Sequence, residues 1–280
     1  MNPEEFNTKE EVTWCPGCGN HSIFMALKQA LVNLNIAPDQ VIIAYGIGCH
    51  GHEVNYLRTN GFEGLHGRPV PVAEGIKLAN NELNVIAVSG DGDAYGEGLS
   101  HMINAARGNH NVTYLVHDNR VYGLTTGQTS PTSAKGTKSK STPEGAIDEP
   151  INPMAMAIAA GATFVARTFA GNIQLTTELI MQAIKHNGFA LLDILQPCVS
   201  FNKVNNFQWY MEHTYKLENH NPADKVAALQ KALEMEKLPL GVLYKEEKPS
   251  YEEQVSELSE GPLTKKSLEV DKEKIMEEFL

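Results

Sequence analysis

The segment VIAVSGDGDAYGEG, Val85–Gly98, decides the fold, because an apolar run leads directly into a glycine-rich turn and then a helical pattern. Such a strand-to-helix turn suits a phosphate group, since the N–H groups of a helix start point at the anion. The glycine spacing, G-x-G-x-x-x-G, is one residue too long for a dinucleotide fingerprint. Asp91 and Asp93 would repel a bare pyrophosphate, so the turn predicts a hard divalent cation between carboxylate and phosphate.

A second source of oxygen ligands follows the next strand, since Asn119 comes just after the apolar run Thr113–Val116. Adjacent parallel strands end at one edge, so Asp91 and Asn119 are expected to face one ion. Gly-Asp-Gly followed at this distance by Asn resembles the pattern of thiamine diphosphate (ThDP) enzymes. The resemblance implies that Asp91, Asn119 and the Val121 carbonyl bind Mg²⁺. The alternative is structural, with Asp91 capping a helix and Asn119 closing a turn.

The turn GIGCHG, Gly46–Gly51, also fits the dinucleotide pattern G-x-G-x-x-G. A dinucleotide site needs a helix after this turn and an acidic residue at the end of the next strand. The residues that follow, HEVNYLRTNGFEGLHGR, are broken by glycines and resemble a loop. The match is therefore rejected as a nucleotide site.

Apolar runs alternate with helical patterns along most of the chain. This alternation predicts an α/β fold with a doubly wound parallel sheet, in which ligands bind at the carboxyl ends of the strands. The predicted strands read as buried on both faces; they are Val41–Ala44, Val85–Val88, Thr113–Val116 and Ala190–Leu195. The predicted helices are His21–Leu34, Val72–Leu78, Gly98–Arg107, Met154–Ala160 and Ile173–His186.

Composition limits the class of protein. The chain has 280 residues, 42% of them hydrophobic, which suffices for a large core. Its net charge of −11, without a basic stripe, argues against nucleic acid as a partner. No apolar run reaches the roughly 18 residues of a membrane span, and the N-terminus is polar and acidic rather than a secretory signal. We therefore expect a cytoplasmic protein with reduced thiols.

The four cysteines come from three segments of the chain. Cys15 and Cys18 flank a Pro-Gly turn, Cys49 lies in the GIGC turn, and Cys198 follows a predicted strand. Four thiolates can enclose either zinc or a [4Fe–4S] cluster. A thioredoxin-like dithiol is a third interpretation of the Cys-Pro-Gly-Cys motif. One close pair with two distant single cysteines suits a larger object, but the residues alone leave zinc and the cluster both open.

Several motifs occur in order between Trp14 and Cys198, namely WCPGCGN, GIGCHG, HGRPVPVAEGIKLAN, GDGDAYGEG and DNRVYGLTTGQTSPTS. Together they resemble the beta subunit of 2-oxoacid:ferredoxin oxidoreductases. The resemblance implies that all four cysteines, Cys15, Cys18, Cys49 and Cys198, hold one [4Fe–4S] cluster. It also implies a catalytic role for His66, although a core histidine is the structural alternative. The implied ThDP-binding residues are Ile47, Gly48, His66, Gly67, Arg68, Gly90, Asp91, Gly92, Asp93, Asn119, Gly123, Leu124 and Thr125.

The resemblance further implies an activity. It predicts oxidative decarboxylation of a 2-oxoacid, with 2-oxoglutarate as the favoured substrate, to an acyl-coenzyme A and CO₂. Electrons would pass through the cluster to ferredoxin. The expected assembly is an (αβ)₂ hetero-oligomer, and the chain is expected to be inactive without its alpha subunit, which would supply the glutamate that activates ThDP. Many relatives carry small polar residues and a basic residue after the third cysteine; this chain has His50, Gly51 and His52, which leaves the substrate in doubt.

Two segments depart from the alternating pattern. Gly127–Glu149, rich in Ser, Thr, Lys and Gly, is expected to be a functional loop or lid rather than a linker. Residues 1–205 are predicted to form the ThDP- and cluster-binding domain, and residues 206–280 a mostly helical or irregular extension that packs on a partner subunit. Within the extension, Asn221–Glu236 is predicted to be a helix with Asn221 as N-cap. From Tyr244 onward the charged sequence fits either a disordered tail or an arm lying on the partner.

Two other functions remain compatible with the residues. The first is a cluster-free ThDP decarboxylase or lyase with a structural zinc site made by the four cysteines. The second is a zinc-binding interaction module without enzymatic activity. The spacing between Asp91 and Asn119 argues against this second alternative.

Overall fold

The computed structural model describes residues 1–267, 269 and 272–279. The α-helices are α1 Gly19–Asn33, α2 Glu53–Tyr56, α3 Pro69–Ala79, α4 Leu99–Gly108, α5 Pro153–Ala160, α6 Ile173–Lys185, α7 Phe207–His213, α8 Lys225–Ala232, α9 Tyr251–Gln254 and α10 Lys272–Glu277. The strands are β1 Val41–Tyr45, β2 Asn60–Glu63, β3 Asn84–Gly90, β4 Thr113–Asp118, β5 Val121–Tyr122, β6 Gln128–Thr129, β7 Phe164–Phe169, β8 Ala190–Leu195, β9 Thr214–Lys216 and β10 Leu238–Lys245.

The main sheet has the strand order β2-β1-β3-β4-β8-β7-β10-β9. Strands β2 to β7 in this order run parallel, whereas β10 pairs antiparallel with β7. Helices α1 and α6 cover one face, and α3, α4, α5 and α8 cover the other. The doubly wound α/β fold predicted from the sequence is confirmed. Every residue of the central strands β4 and β8 is buried, as their apolar sequences indicate.

Short polar side chains fix the helix starts on the way to the site. Asn152 accepts a hydrogen bond from the backbone N–H of Ala155 and begins α5, and Asn172 does the same for Leu175 at α6. The predicted helix Asn221–Glu236 is shorter in the structure, because Asp224 rather than Asn221 is its N-cap. The Asp224 side chain accepts from two backbone N–H groups, whereas Asn221 makes only a local turn with Ala223.

The chain beyond residue 205 packs on the rest of the protein. Strands β9 and β10 extend the main sheet, and the remaining described part of the extension is helical or irregular, as predicted. Farther along, Glu252 binds His110 and the backbone N–H of Asn111, and Tyr251 stacks on His110. The division at residue 205 and the packing on a partner stay predictions. Residues 268, 270, 271 and 280 of the predicted extension lie outside the described residues.

The four neighbouring strands β1, β3, β4 and β8 all end at the same edge of the sheet. The loops that follow them begin at positions 46, 91, 119 and 196. These loops contain most of the residues that the sequence predicts to bind cofactors. Among the described residues, no helix has both the length and the apolar character that a membrane crossing requires.

Candidate active site

A cleft opens at this edge of the sheet. Of the residues predicted to bind the cofactor, it is lined by Ile47, Gly48, His66, Gly90, Asp91, Gly92, Asp93, Asn119, Gly123, Leu124 and Thr125. Gly67 and Arg68 are not among the lining residues. The Gly67 N–H donates to Asp93 Oδ1 at 2.7 Å, and Arg68 Nη1 donates to the Glu97 carbonyl at 3.0 Å. Both residues therefore lie behind the cleft wall and support it.

Asp91 begins the turn after β3 and is almost completely buried. Its Oδ2 accepts a hydrogen bond from Thr132 Oγ1 at 2.7 Å, and its Oδ1 lies 3.3 Å from the Asn119 backbone nitrogen. Burial raises the pKa of the Asp91 carboxyl to about 6. A buried carboxylate of this kind is stabilised by a cation, and hard oxygen ligands suit Mg²⁺.

The turn after β4 brings two further oxygen atoms to the cleft. Asn119 Oδ1 accepts from the Val121 N–H at 3.0 Å, and both residues line the cleft. Between them, Arg120 adopts a left-handed conformation with φ of 60°. Its guanidinium lies 5.1 Å from the ring centroid of Trp209, an interaction that holds the turn against α7. The backbone of this turn is thus fixed by contacts far along the sequence.

Asn202 supports the same turn from the segment that follows β8. Its Nδ2 donates to the Asn119 carbonyl at 3.0 Å, and its backbone N–H donates to the Cys198 carbonyl at 3.1 Å. One buried side chain therefore connects the loop of Asn119 with the loop of Cys198.

Asp93 organises the loops instead of facing the cleft freely. Its carboxylate accepts from the backbone N–H groups of Ile47 and Gly67 and from Ser89 Oγ, at 3.1, 2.7 and 2.5 Å. A Cβ atom at Gly46 would lie 1.7 Å from Asp93 Oδ2, so only glycine fits there. Asp93 thus joins the loops after β1, β2 and β3.

His66 stands at the mouth of the cleft and is 38% exposed. Its Nδ1 lies 2.8 Å from Asp93 Oδ1 and 3.3 Å from Glu97 Oε2, although the angles do not make a hydrogen bond. The imidazole therefore lies beside two carboxylates at the cleft mouth and is not enclosed in the core. The catalytic role of His66 stays a prediction.

All four cysteines line a second cavity, of about 220 Å³. Burial, followed by the charges of the other three sulfurs, raises the pKa of Cys49 to about 11, and burial also raises the pKa of Cys18. With its pKa raised to about 11, Cys49 stays a neutral thiol at neutral pH unless a cation stabilises its thiolate. In the described part of the chain, no three His, Cys, Asp or Glu residues are arranged to hold a single metal ion.

Family comparisons agree with this geometry. Residues 46–194 match the C-terminal TPP binding domain of thiamine pyrophosphate enzymes, and residues 198–260 match the C-terminal part of the pyruvate ferredoxin oxidoreductase beta subunit. The 2-oxoacid:ferredoxin oxidoreductase subunit beta of Sulfolobus sp. is 44% identical over 258 residues, which cover 86% of this chain and 85% of that protein. The chain belongs to the beta subunits of the 2-oxoacid:ferredoxin oxidoreductases.

Two further relatives refine the comparison of this beta subunit. The 2-oxoglutarate oxidoreductase subunit KorB of Mycobacterium tuberculosis is 44% identical over 199 residues, covering 71% of this chain and 53% of that one. Among solved structures, a 2-oxoglutarate:ferredoxin oxidoreductase from Magnetococcus marinus with 2-oxoglutarate, coenzyme A and succinyl-CoA bound has a TM-score of 0.93 and 35% identity. That similarity covers 99% of this chain and 95% of the other.

The two cavities of this beta subunit share part of their walls. Five residues line both of them, namely Cys49, Asn119, Gly123, Leu124 and Gln196. A Cβ atom at Gly123 would lie 3.7 Å from Cys49 Sγ and 3.8 Å from Cys198 Sγ. The cleft and the cysteine cavity are therefore separated by single side chains.

From the sequence, His50 was named only for its bearing on the substrate, and Gln196, Tyr122 and Thr132 were not predicted as site residues. His50 is buried, and its Nε2 accepts the Gly90 N–H at 3.1 Å; burial lowers the pKa of His50 to about 3, so the ring stays neutral. Gln196 and Tyr122 line the cleft, and Thr132 binds Asp91. His50 directly follows Cys49, and Gln196 lies two residues before Cys198; this closeness to cysteines is the signal that could have indicated both.

Proposed function

We propose that this beta subunit holds ThDP, Mg²⁺ and a [4Fe–4S] cluster, and that with an alpha subunit it oxidatively decarboxylates 2-oxoglutarate to an acyl-coenzyme A and CO₂. Electrons then leave through the cluster to ferredoxin. The shared wall between the cleft and the cysteine cavity carries this proposal. Two redox partners that exchange electrons must lie close together, and these cavities adjoin.

The oxygen atoms of the cleft fit Mg²⁺. Asp91 provides a buried carboxylate, Asn119 a side-chain carbonyl and Val121 a backbone carbonyl, all on one cleft wall. Mg²⁺ commonly uses one or two carboxylates and completes its shell with phosphate and water oxygens. The start of the segment Gly127–Glu149 also belongs to the site, because Thr132 orients the Asp91 carboxylate. This contact supports a functional loop over a linker.

The cysteine cavity fits a polynuclear cluster better than zinc. A structural zinc site gathers four ligands within about 2.3 Å of one ion. The cysteines instead line a cavity of about 220 Å³ together with ten other residues, and no three of the metal-binding side chains in the described ranges converge on one point. A [4Fe–4S] cluster bound by four cysteine sulfurs suits such a space.

When bound, ThDP supplies the electron sink that decarboxylation requires. The chain's own residues orient the groups around it. Asp93 fixes the three loops of the cleft, and neutral His50 holds the Gly90 N–H in place. His66, with Nδ1 beside Asp93 and Glu97, moves a proton at Nε2.

The choice of 2-oxoglutarate rests on the relatives, two of which carry this substrate in their names. The residues after Cys49, His50 to His52, are candidates for shaping this choice. We further propose an (αβ)₂ assembly in the cytoplasm, with the glutamate that activates ThDP on the alpha subunit. In this proposal, residues 1–205 bind the cofactors and residues 206–280 contact the partner.

The test is anaerobic co-purification with the neighbouring alpha chain. We expect about four iron atoms for each beta subunit, visible absorbance that dithionite bleaches, and 2-oxoglutarate-dependent reduction of a low-potential viologen with coenzyme A. Colourless protein with one zinc for each beta subunit, releasing CO₂ without coenzyme A or an electron acceptor, would instead identify a cluster-free decarboxylase.

A further inference from the structure

Gln196 lies on the wall between the two cavities. It follows β8 directly, is 2% exposed and lines both the cleft and the cysteine cavity. Its backbone N–H donates to the Asp118 carbonyl at 2.8 Å, which continues the pairing of β8 with β4. The position of Gln196 is therefore set by the centre of the sheet.

The start of α1 fixes the Gln196 side chain. A Cβ atom at Gly19 would lie 2.6 Å from Gln196 Cγ. The Gln196 side chain therefore fits against α1 only because residue 19 is glycine. The Gly19 N–H also donates to the Pro197 carbonyl at 3.2 Å. These contacts hold Gln196 against the segment of Cys15 and Cys18, and the side chain has little freedom to turn away.

The amide of Gln196 points a donor at a cysteine sulfur. Its Nε2 lies 3.3 Å from Cys18 Sγ. A metal-bound thiolate only accepts hydrogen bonds, so the nitrogen rather than the oxygen of the amide must face it. A hydrogen bond to a ligand sulfur stabilises the extra negative charge that a cluster gains on reduction, and therefore raises its reduction potential.

Ser200 offers an internal comparison. Its Oγ lies 3.0 Å from Cys15 Sγ, but this pair is exposed to solvent. Water replaces a lost donor readily at the exposed Cys15 sulfur, but less readily beside Gln196, which is 2% exposed. The two donors should therefore differ in their effect on the potential even though both bind a cysteine sulfur.

We propose that Gln196 is a positioning residue that raises the reduction potential of the cluster through its hydrogen bond to Cys18. The inference rests on the proposed function, since it requires the cluster. It adds a role for a residue between the two cavities, which tunes how readily the cluster accepts electrons from the cleft.

The test is a redox titration of the cluster signal by electron paramagnetic resonance, on complexes with the alpha subunit. Gln196→Met keeps the length of the side chain and removes the donor. We expect its one-electron reduction equilibrium to shift about fivefold toward the oxidised form, or about 40 mV in the negative direction at 59 mV for each tenfold change. Ser200→Ala should shift the potential in the same direction by less.

Two further variants make the result decisive. Gln196→Glu replaces the amide donor with a carboxylate and should lower the potential at least as much, which keeps the test open if the methionine variant does not fold. Gln208→Met, at an exposed glutamine bound only to Glu212, should leave the potential unchanged. Wild-type potential in a Gln196 variant with full iron content overturns the inference, whereas absence of a cluster in the wild-type complex overturns the proposed function.

Discussion

The Asp93 carboxylate in the cleft accepts hydrogen bonds from two loops and from Ser89 in β3, whereas Cys15 Sγ in the cysteine cavity accepts one, from Ser200 at an exposed position. The cleft is thus shaped by the chain's own buried polar groups. In the cysteine cavity, burial and then the neighbouring sulfurs raise the pKa of Cys49, and burial raises that of Cys18. The difference teaches that the cleft is preformed by its own hydrogen bonds, whereas the proposed cluster would supply much of the cohesion of the cysteine cavity.

The largest effect is expected at Asp91, the one buried carboxylate proposed to bind Mg²⁺. Asp91→Asn removes its charge, and we expect Mg²⁺-dependent ThDP affinity to fall by more than about 100-fold, because changes in outer partners alone cost 10–100-fold. Calorimetric titration of the complex with the alpha subunit measures this. Iron content should stay at the wild-type level. Asp224→Asn, at the exposed cap of α8, is the matched control and should bind normally; equal losses in both variants would contradict the role of Asp91.

Replacing a cysteine should have the reverse outcome: the cysteine cavity should lose iron while the cleft still binds ThDP. Cys198→Ala removes the most buried of the four sulfurs, and we expect most of the iron to be lost on purification. Unfolding temperature should fall, because the cavity loses the group that joins its three segments. ThDP binding should be largely kept if the cleft is preformed. If the variant lost ThDP binding as well as iron, the claim that the cleft is preformed without the cysteine cavity would be wrong.

A moderate effect is expected at Thr132, which lies between Asp91 Oδ2 at 2.7 Å and Asp118 Oδ1 at 2.8 Å. Thr132→Val removes the hydroxyl and should weaken Mg²⁺ binding by about tenfold, the lower end for an outer partner of a metal ligand. Titration of Mg²⁺ into the ThDP complex reports this. Thr137→Val, in the same loop, removes a hydroxyl that donates to the Ala134 carbonyl and should have no effect on this affinity.

A smaller effect is expected at Asn202, which connects the loops of the two regions. Asn202→Ala removes its hydrogen bond to the Asn119 carbonyl, and we expect Mg²⁺-dependent ThDP affinity to fall about fivefold, the value of one hydrogen bond. Asn172→Ala removes the cap of α6 at a similar cost in stability, about 1 kcal/mol, and lies away from the cleft. An equal loss of ThDP affinity in Asn202→Ala and Asn172→Ala would show that lower stability, and not the lost contact with Asn119, causes the effect.

The smallest effect on either site is expected at Glu53, in α2 just beyond the Cys49 turn. Its carboxyl is buried without a hydrogen-bond partner among the described residues, and burial raises its pKa to about 8 despite nearby Lys28. The folded protein therefore keeps a proton that the unfolded chain loses above pH 4.5. Stability should decline as pH rises from about 5 to 8.

Glu53→Gln should flatten this decline, so that the variant gains unfolding temperature over the wild type at pH 8 and the gain shrinks toward pH 5. Thermal unfolding at several pH values measures the difference. Glu178→Gln, on the exposed side of α6, is the control and should follow the wild-type profile. Parallel profiles for the wild type and Glu53→Gln would show that Glu53 is already ionised in the folded protein.

The sequence predicted the central strands and the residues at their ends because those signals are local. Strand β7 was missed, since Arg167 interrupts its apolar run; the structure places Arg167 Nε 3.0 Å from buried Asp193, a partner on β8. Strand β10 was missed because Pro239 and Gly241 read as breakers, although both are tolerated near the sheet edge. Closeness to a cysteine indicates that His50 and Gln196 lie near the site, but their partners, Gly90 and Cys18, are distant in the sequence, so no local pattern reports these contacts.

The left-handed backbone at Arg120 limits where the chain can be truncated without disturbing the turn that carries Asn119. Glycine would adopt that conformation without strain, so the stacking of the guanidinium on Trp209 is what compensates an arginine there. Trp209 lies beyond residue 205, which means that a fragment ending at the predicted boundary would release the turn carrying Asn119. Expression designs and limited digestion should therefore treat α7 as part of the catalytic half.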